Sequence, residues 1–121
     1  YNPSIVQAYA PGGATILGNW ALSSGVKVNG LALDGNGDFF VTDTNNGGQV
    51  EEYHYGTLTP GSINSTVSLL RTWGDPHSEH EFLDYIPASI ALVGNAVFPT
   101  TISAIVVGDV DNDLLQVFQG P

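Results

Sequence analysis

The chain of 121 residues contains no cysteine, so neither a disulfide framework nor a thiol nucleophile nor a Cys-based metal site is available to it. Positive charge is nearly missing as well. Lys27 and Arg71 face twelve carboxylates, for a formal net charge of −10. Such a surface repels phosphate backbones and anionic bilayers, which excludes nucleic acid as a partner. No apolar run approaches the roughly 20 residues that a membrane-crossing helix needs, so membrane insertion is not expected either. Helical periodicity is also lacking, because no window of a dozen residues carries an apolar i, i+3, i+4, i+7 stripe free of Gly or Pro. Missing too are a Gly-x-Ser-x-Gly elbow, a phosphate-binding loop and a dinucleotide fingerprint, and with them the activities those motifs serve.

What remains is a series of short β-branched and aromatic runs punctuated by turn residues. The pattern predicts an all-β chain with strands over 5–9, 14–20, 28–33, 39–43, 49–55, 67–73, 88–93, 102–108 and 114–118. Pro11-Gly12-Gly13, Asp34-Gly35-Asn36-Gly37, Asn45-Asn46-Gly47-Gly48 and Thr59-Pro60-Gly61 supply the fixed or positive φ that tight turns require. At 42% apolar residues a single domain of this length can fill a core.

One strand type recurs three times, as Ile5-Val6-Gln7-Ala8-Tyr9, Gln49-Val50-Glu51-Glu52-Tyr53 and Leu114-Leu115-Gln116-Val117-Phe118. Its surroundings recur with it. Trp20 matches Trp73, Gly30-Leu31-Ala32-Leu33 matches Ser89-Ile90-Ala91-Leu92, and Phe40-Val41-Thr42-Asp43 matches Val106-Val107-Gly108-Asp109. Four strands in a fixed order per unit is the pattern of a β-propeller blade. The expected layout is one repeat domain over 1–121, with a partial unit at about 1–20 and units at about 21–73 and 74–121. That makes two blades of four antiparallel strands plus an extra strand.

Val28 to Asp34, Gly37 to Asn46 and Gln49 to Tyr53 together resemble an NHL repeat, the blade unit of a family of β-propellers. Phe82, Pro87 and Ser89-Ile90-Ala91-Leu92 resemble the lead-in to the next unit. The second unit departs from the pattern where Val93 replaces the counterpart of Asp34 and Val93 to Thr101 lengthen the hairpin. The resemblance implies a propeller of about six blades, a ring that two blades do not close.

Several residues are candidates for a site. Asp43, Asn46, Asp109 and Asn112 stand at repeated turns, where a carboxylate or amide accepts hydrogen bonds from the backbone of its own turn. Their recurrence in both units marks them as structural rather than catalytic. Trp20 and Trp73, also repeated, are expected as packing between units. Asp34, Asn36 and Asp38, and again Asp109, Asp111 and Asp113, space oxygen ligands at alternate positions, as a loop wrapping Ca²⁺ does. Neither run has the Glu at the twelfth position that completes an EF-hand, and each also reads as an ordinary turn. His77 and His80, in the densest polar cluster of the chain, have the chemistry of Zn²⁺ ligands or of an acid and base but lack a third ligand at a defined spacing. Asn64-Ser65-Thr66 is a sequon that marks Asn64 for N-glycosylation in a secreted protein.

With few charges and many Gly, Asn, Ser and Thr, the composition points to a secreted, extracellular protein. A first residue of Tyr rather than Met points to a processed chain or to part of a longer one. The function expected is a structural or interaction protein that self-associates through blade edges or faces into a homo-oligomer or filament, without a catalytic role. The alternatives are a part or subunit of a propeller enzyme, namely a metal-dependent lyase, lactonase or esterase, or a propeller that binds carbohydrate or peptide.

Overall fold

The structure is a computed structural model that describes residues 4–23, 25–44, 49–73, 87–94, 102–109 and 114–119. At 87, 88, 93, 102, 103, 109, 114–116, 118 and 119 it describes the backbone alone. The described residues are all-β, in nine strands: β1 (Ile5–Tyr9), β2 (Ile16–Ala21), β3 (Val28–Leu33), β4 (Asp38–Asp43), β5 (Gln49–His54), β6 (Ser68–Trp73), β7 (Pro87–Gly94), β8 (Ile102–Asp109) and β9 (Leu114–Gln119). They form three antiparallel sheets of two, four and three strands, ordered β1-β2, β3-β4-β5-β6 and β7-β8-β9. Within each sheet every strand pairs only with strands next to it in sequence, the short-range pairing that tight turns favour.

The sheet registers repeat as closely as the sequence does. Leu31 and Leu33 lie opposite Val41 and Phe39, while their counterparts Ile90 and Leu92 lie opposite Val107 and Ile105. Val6 pairs with Trp20, and Val50 pairs with Trp73. Even the irregularities recur. A bulge falls between Ala8 and Tyr9 and again between Glu52 and Tyr53; another falls between Val28 and Gly30 and again between Pro87 and Ser89.

The middle sheet is packed on both faces, and this shapes its sequence. On one face Phe39, Val41 and Tyr53 meet Val6, Trp20, Leu22 and Val26. On the other, Phe40 and Val50 meet Ile105 and Val107, with Trp73, Ile90 and Leu92 at the margin. Strand β4 is therefore buried from Phe39 to Asp43 without the alternation of a half-exposed strand. Full burial of an aromatic or branched aliphatic side chain contributes about 1.5–3 kcal/mol, so these two layers hold the three sheets together.

Turn chemistry fixes the β3–β4 hairpin. Asp34 Oδ1 accepts from the backbone N–H groups of Asn36 (2.7 Å) and Asp38 (3.2 Å), an Asx turn that pins the loop. Gly37 sits at φ +87°, and a Cβ there would lie 2.5 Å from the Gly56 carbonyl oxygen. That approach lets the Gly37 carbonyl accept from the N–H groups of Tyr55 and Gly56.

Candidate functional site

Three groupings in the middle sheet and at its margins collect the residues of chemical interest. The first lies at the Asp34 turn. Antiparallel pairing sets Asp38 opposite His54 and Phe40 opposite Glu52, so the side chains of Asp38, His54 and Glu52 share one face. Carboxylate oxygens of Asp34, Asp38 and Glu52 come within 4.8 Å of one another. His54 Nδ1 is 2.5 Å from Asp38 Oδ1, and Arg71 Nε on β6 is 2.9 Å from Glu52 Oε1. The Arg71 contact is an ion pair without hydrogen-bond alignment. Burial pushes the Glu52 carboxyl up to about 7; hydrogen bonding with Asp38 and the negative charges of Asp38 and Asp34 add to the shift, and the Arg71 guanidinium opposes it. The structure thus brings Asp34 and Asp38 together but replaces Asn36, which is exposed, with Glu52. Glu52 reads in sequence as one polar residue of a repeated strand. Only the β4–β5 register shows that it reaches the turn.

The second grouping lies on the opposite face. Asp43 is fully buried and its Oδ1 accepts from the Lys27 backbone N–H at 2.9 Å. This bond ties the end of β4 to the segment entering β3, sixteen residues away. Glu51, also buried, accepts from the Tyr53 hydroxyl at 2.5 Å and from Gln49 Nε2 at 2.6 Å. Burial raises its pKa; the Tyr53 and Gln49 hydrogen bonds pull it down, and hydrogen bonding with Asp43 and that residue's charge push it up. Burial first, then Glu51, raises the Tyr53 phenol.

The third is the junction between the first two sheets. Trp20 packs on Phe39 and Tyr55 at centroid distances of 5.6 and 5.0 Å, while Trp73 lies 5.7 Å from Phe40. The Trp20 indole N–H donates to Asn64 Oδ1 at 3.0 Å, which also accepts from the Thr66 N–H. Asn64 Nδ2 donates to the carbonyls of Tyr55 (2.9 Å) and Thr57 (3.3 Å), and its backbone bridges to β2. Both amide hydrogens of the sequon asparagine are engaged, and a glycan on that nitrogen would have to displace one of them. In this fold Asn64 is a latch between β2 and the 55–67 loop.

Beside this latch a cavity of about 330 Å³ opens, with Tyr9, Leu31, Leu33, Phe39 and Tyr55 in its walls. Its rim is apolar and open. Tyr9 is 49% exposed, Leu31 47% and Leu33 63%, with Ile5 at 59% farther along β1. Asn46, His77, His80, Asp111, Asn112 and Asp113 lie outside the described residues, and Asp109 is described only as the last backbone position of β8. No protein-family model, no curated protein and no solved structure matches the chain.

Proposed function

We propose that the chain is a secreted structural or interaction module, built of propeller-like blades of the NHL type, that associates with copies of itself. The observation that carries this reading is the open apolar junction beside β1. Large hydrophobic side chains at three neighbouring places, Tyr9, Leu31 and Leu33, stand about half exposed, and no described strand pairs with the second edge of β1. An unpaired strand edge next to exposed leucines recruits another β-strand. The four-stranded sheet β3–β6 supports the blade reading, as does the repetition of its registers and bulges on either side. Composition supports secretion. The carboxylates at the Asp34 turn already have Arg71 and His54 as neighbours, an arrangement that serves the hairpin and leaves an enzymatic reading without a particular observation in its favour.

Size-exclusion chromatography with light scattering tests the proposal. The wild-type chain should run as an oligomer, and the Leu31→Asn/Leu33→Asn variant should run at the mass of one chain with its β-sheet spectrum intact. Equal masses for the two, at any size, would overturn the role given to this junction.

A further inference from the structure

Each sheet presents a distinct front and back. The back of the first sheet (Val6, Trp20) packs on the front of the second (Phe39, Val41), and the back of the second (Phe40, Val50, Trp73) packs on the front of the third (Ile105, Val107, Ile90, Leu92). The same interface thus occurs twice within the chain, once complete and once incomplete. In the complete copy Ile90 and Leu92 of β7 are partly buried against the preceding sheet, whose strands β3 and β4 both lie against β7. Their counterparts in the incomplete copy are Leu31 and Leu33, which stand exposed beside a sheet whose described strands are the equivalents of β5 and β6.

The chain contains another pair of that type: β7 and β8. Their counterpart residues and register match β3 and β4 position by position. Beyond β8 lies β9, whose segment is the third copy of the strand that β1 also represents, so β1 and β9 are two candidates for one position beside β8. Their holds differ. β1 is joined to β2 and seats Val6 and Trp20 in the core; β9 pairs with β8 alone, and its Val117 is 67% exposed.

Building on the self-association proposed above, we infer that copies join by strand exchange: β1 of one copy replaces β9 of another beside β8, giving a four-stranded sheet β7-β8-β1-β2 shared between two chains. This sheet has the composition of β3–β6 and lays strands β7 and β8 beside Leu31 and Leu33, as β3 and β4 lie against β7 within one chain. The register follows from the repeat. Phe40 lies opposite Glu52 within the middle sheet, so Val106 of one copy lies opposite Ala8 of the next, in the place that Val117 holds within one chain. The contact is head-to-tail, so it propagates into a ring or a filament.

The absence of cysteine makes disulfide trapping clean. Full-length Ala8→Cys and Val106→Cys chains, mixed and oxidised, should give a covalent pair of twice the single-chain mass that neither variant gives alone. The Val106→Cys/Val117→Cys double variant, oxidised, should lock β9 onto β8 and abolish association, and reduction should restore it. If the wild type associates while the mixed pair stays uncoupled and the locked variant still assembles, strand exchange is wrong and self-association stands. If the wild type is a single chain at every concentration, both fall.

Discussion

Replacing Asn64 with alanine removes four hydrogen bonds at once, and the structure separates their weights. The Trp20 indole N–H belongs to a residue 2% exposed and loses its acceptor. Stranding a buried donor costs about 1–3 kcal/mol. The bonds to Thr66 N–H and the carbonyls of Tyr55 and Thr57 lie at half-buried or exposed groups where water substitutes, and together they add about 1.5 kcal/mol at the low end of the net range. The loss expected is therefore about 2.5–4.5 kcal/mol, a large share of the roughly 5–15 kcal/mol typical of a domain. Urea denaturation followed by tryptophan fluorescence measures it, with a lower midpoint and an unchanged slope as the expected result. Thr66→Ala provides the control, since it destroys the sequon yet leaves the backbone N–H that binds Asn64. It should stay within about 0.5 kcal/mol of wild type. Should Asn64→Ala match wild type as well, the latch is not what orders this loop.

Because the Glu51 and Glu52 carboxyls are raised above their unfolded values, the folded chain holds more protons than the unfolded one between about pH 4.5 and 7. Stability should therefore fall as pH rises through that window, and Glu52→Gln should flatten the slope in urea midpoints measured across it. Arg71→Met leaves the Glu52 carboxylate without its cation and should cost about 1 kcal/mol more at pH 8 than at pH 5, read from the same denaturation curves. Gly37→Ala forces a side chain into positive φ and onto the Gly56 carbonyl; a thermal melt should show a loss of about 2 kcal/mol or more.

The strands were legible because each is a short β-branched or aromatic run closed by a turn, and all nine appear within a residue or two of their expected ends. The repeat was legible for the same reason, and its extension to matching registers and bulges follows from like residues at like places. The polar site residues were not. Glu51 and Glu52 are adjacent charged residues in a strand, yet the middle sheet is covered on both faces and buries them, a consequence of layer packing that no local window contains. Asn64 is a sequon in sequence and a latch in space, because its partner Trp20 comes from a strand forty-four residues away. The turn residue Asp43 bonds Lys27 across the hairpin, a partner that becomes visible only once β3 and β4 are paired.

If the surface beside β1 is a joint between copies, sedimentation equilibrium across roughly a hundredfold range of concentration reveals it. At about 0.15 M salt, where repulsion between chains of charge −10 is screened beyond about 8 Å, the weight-average mass should rise with concentration toward a multiple of the 12.7 kDa chain. Lowering the salt should weaken the association. A mass that stays at 12.7 kDa throughout, in a chain that remains folded, would contradict the account.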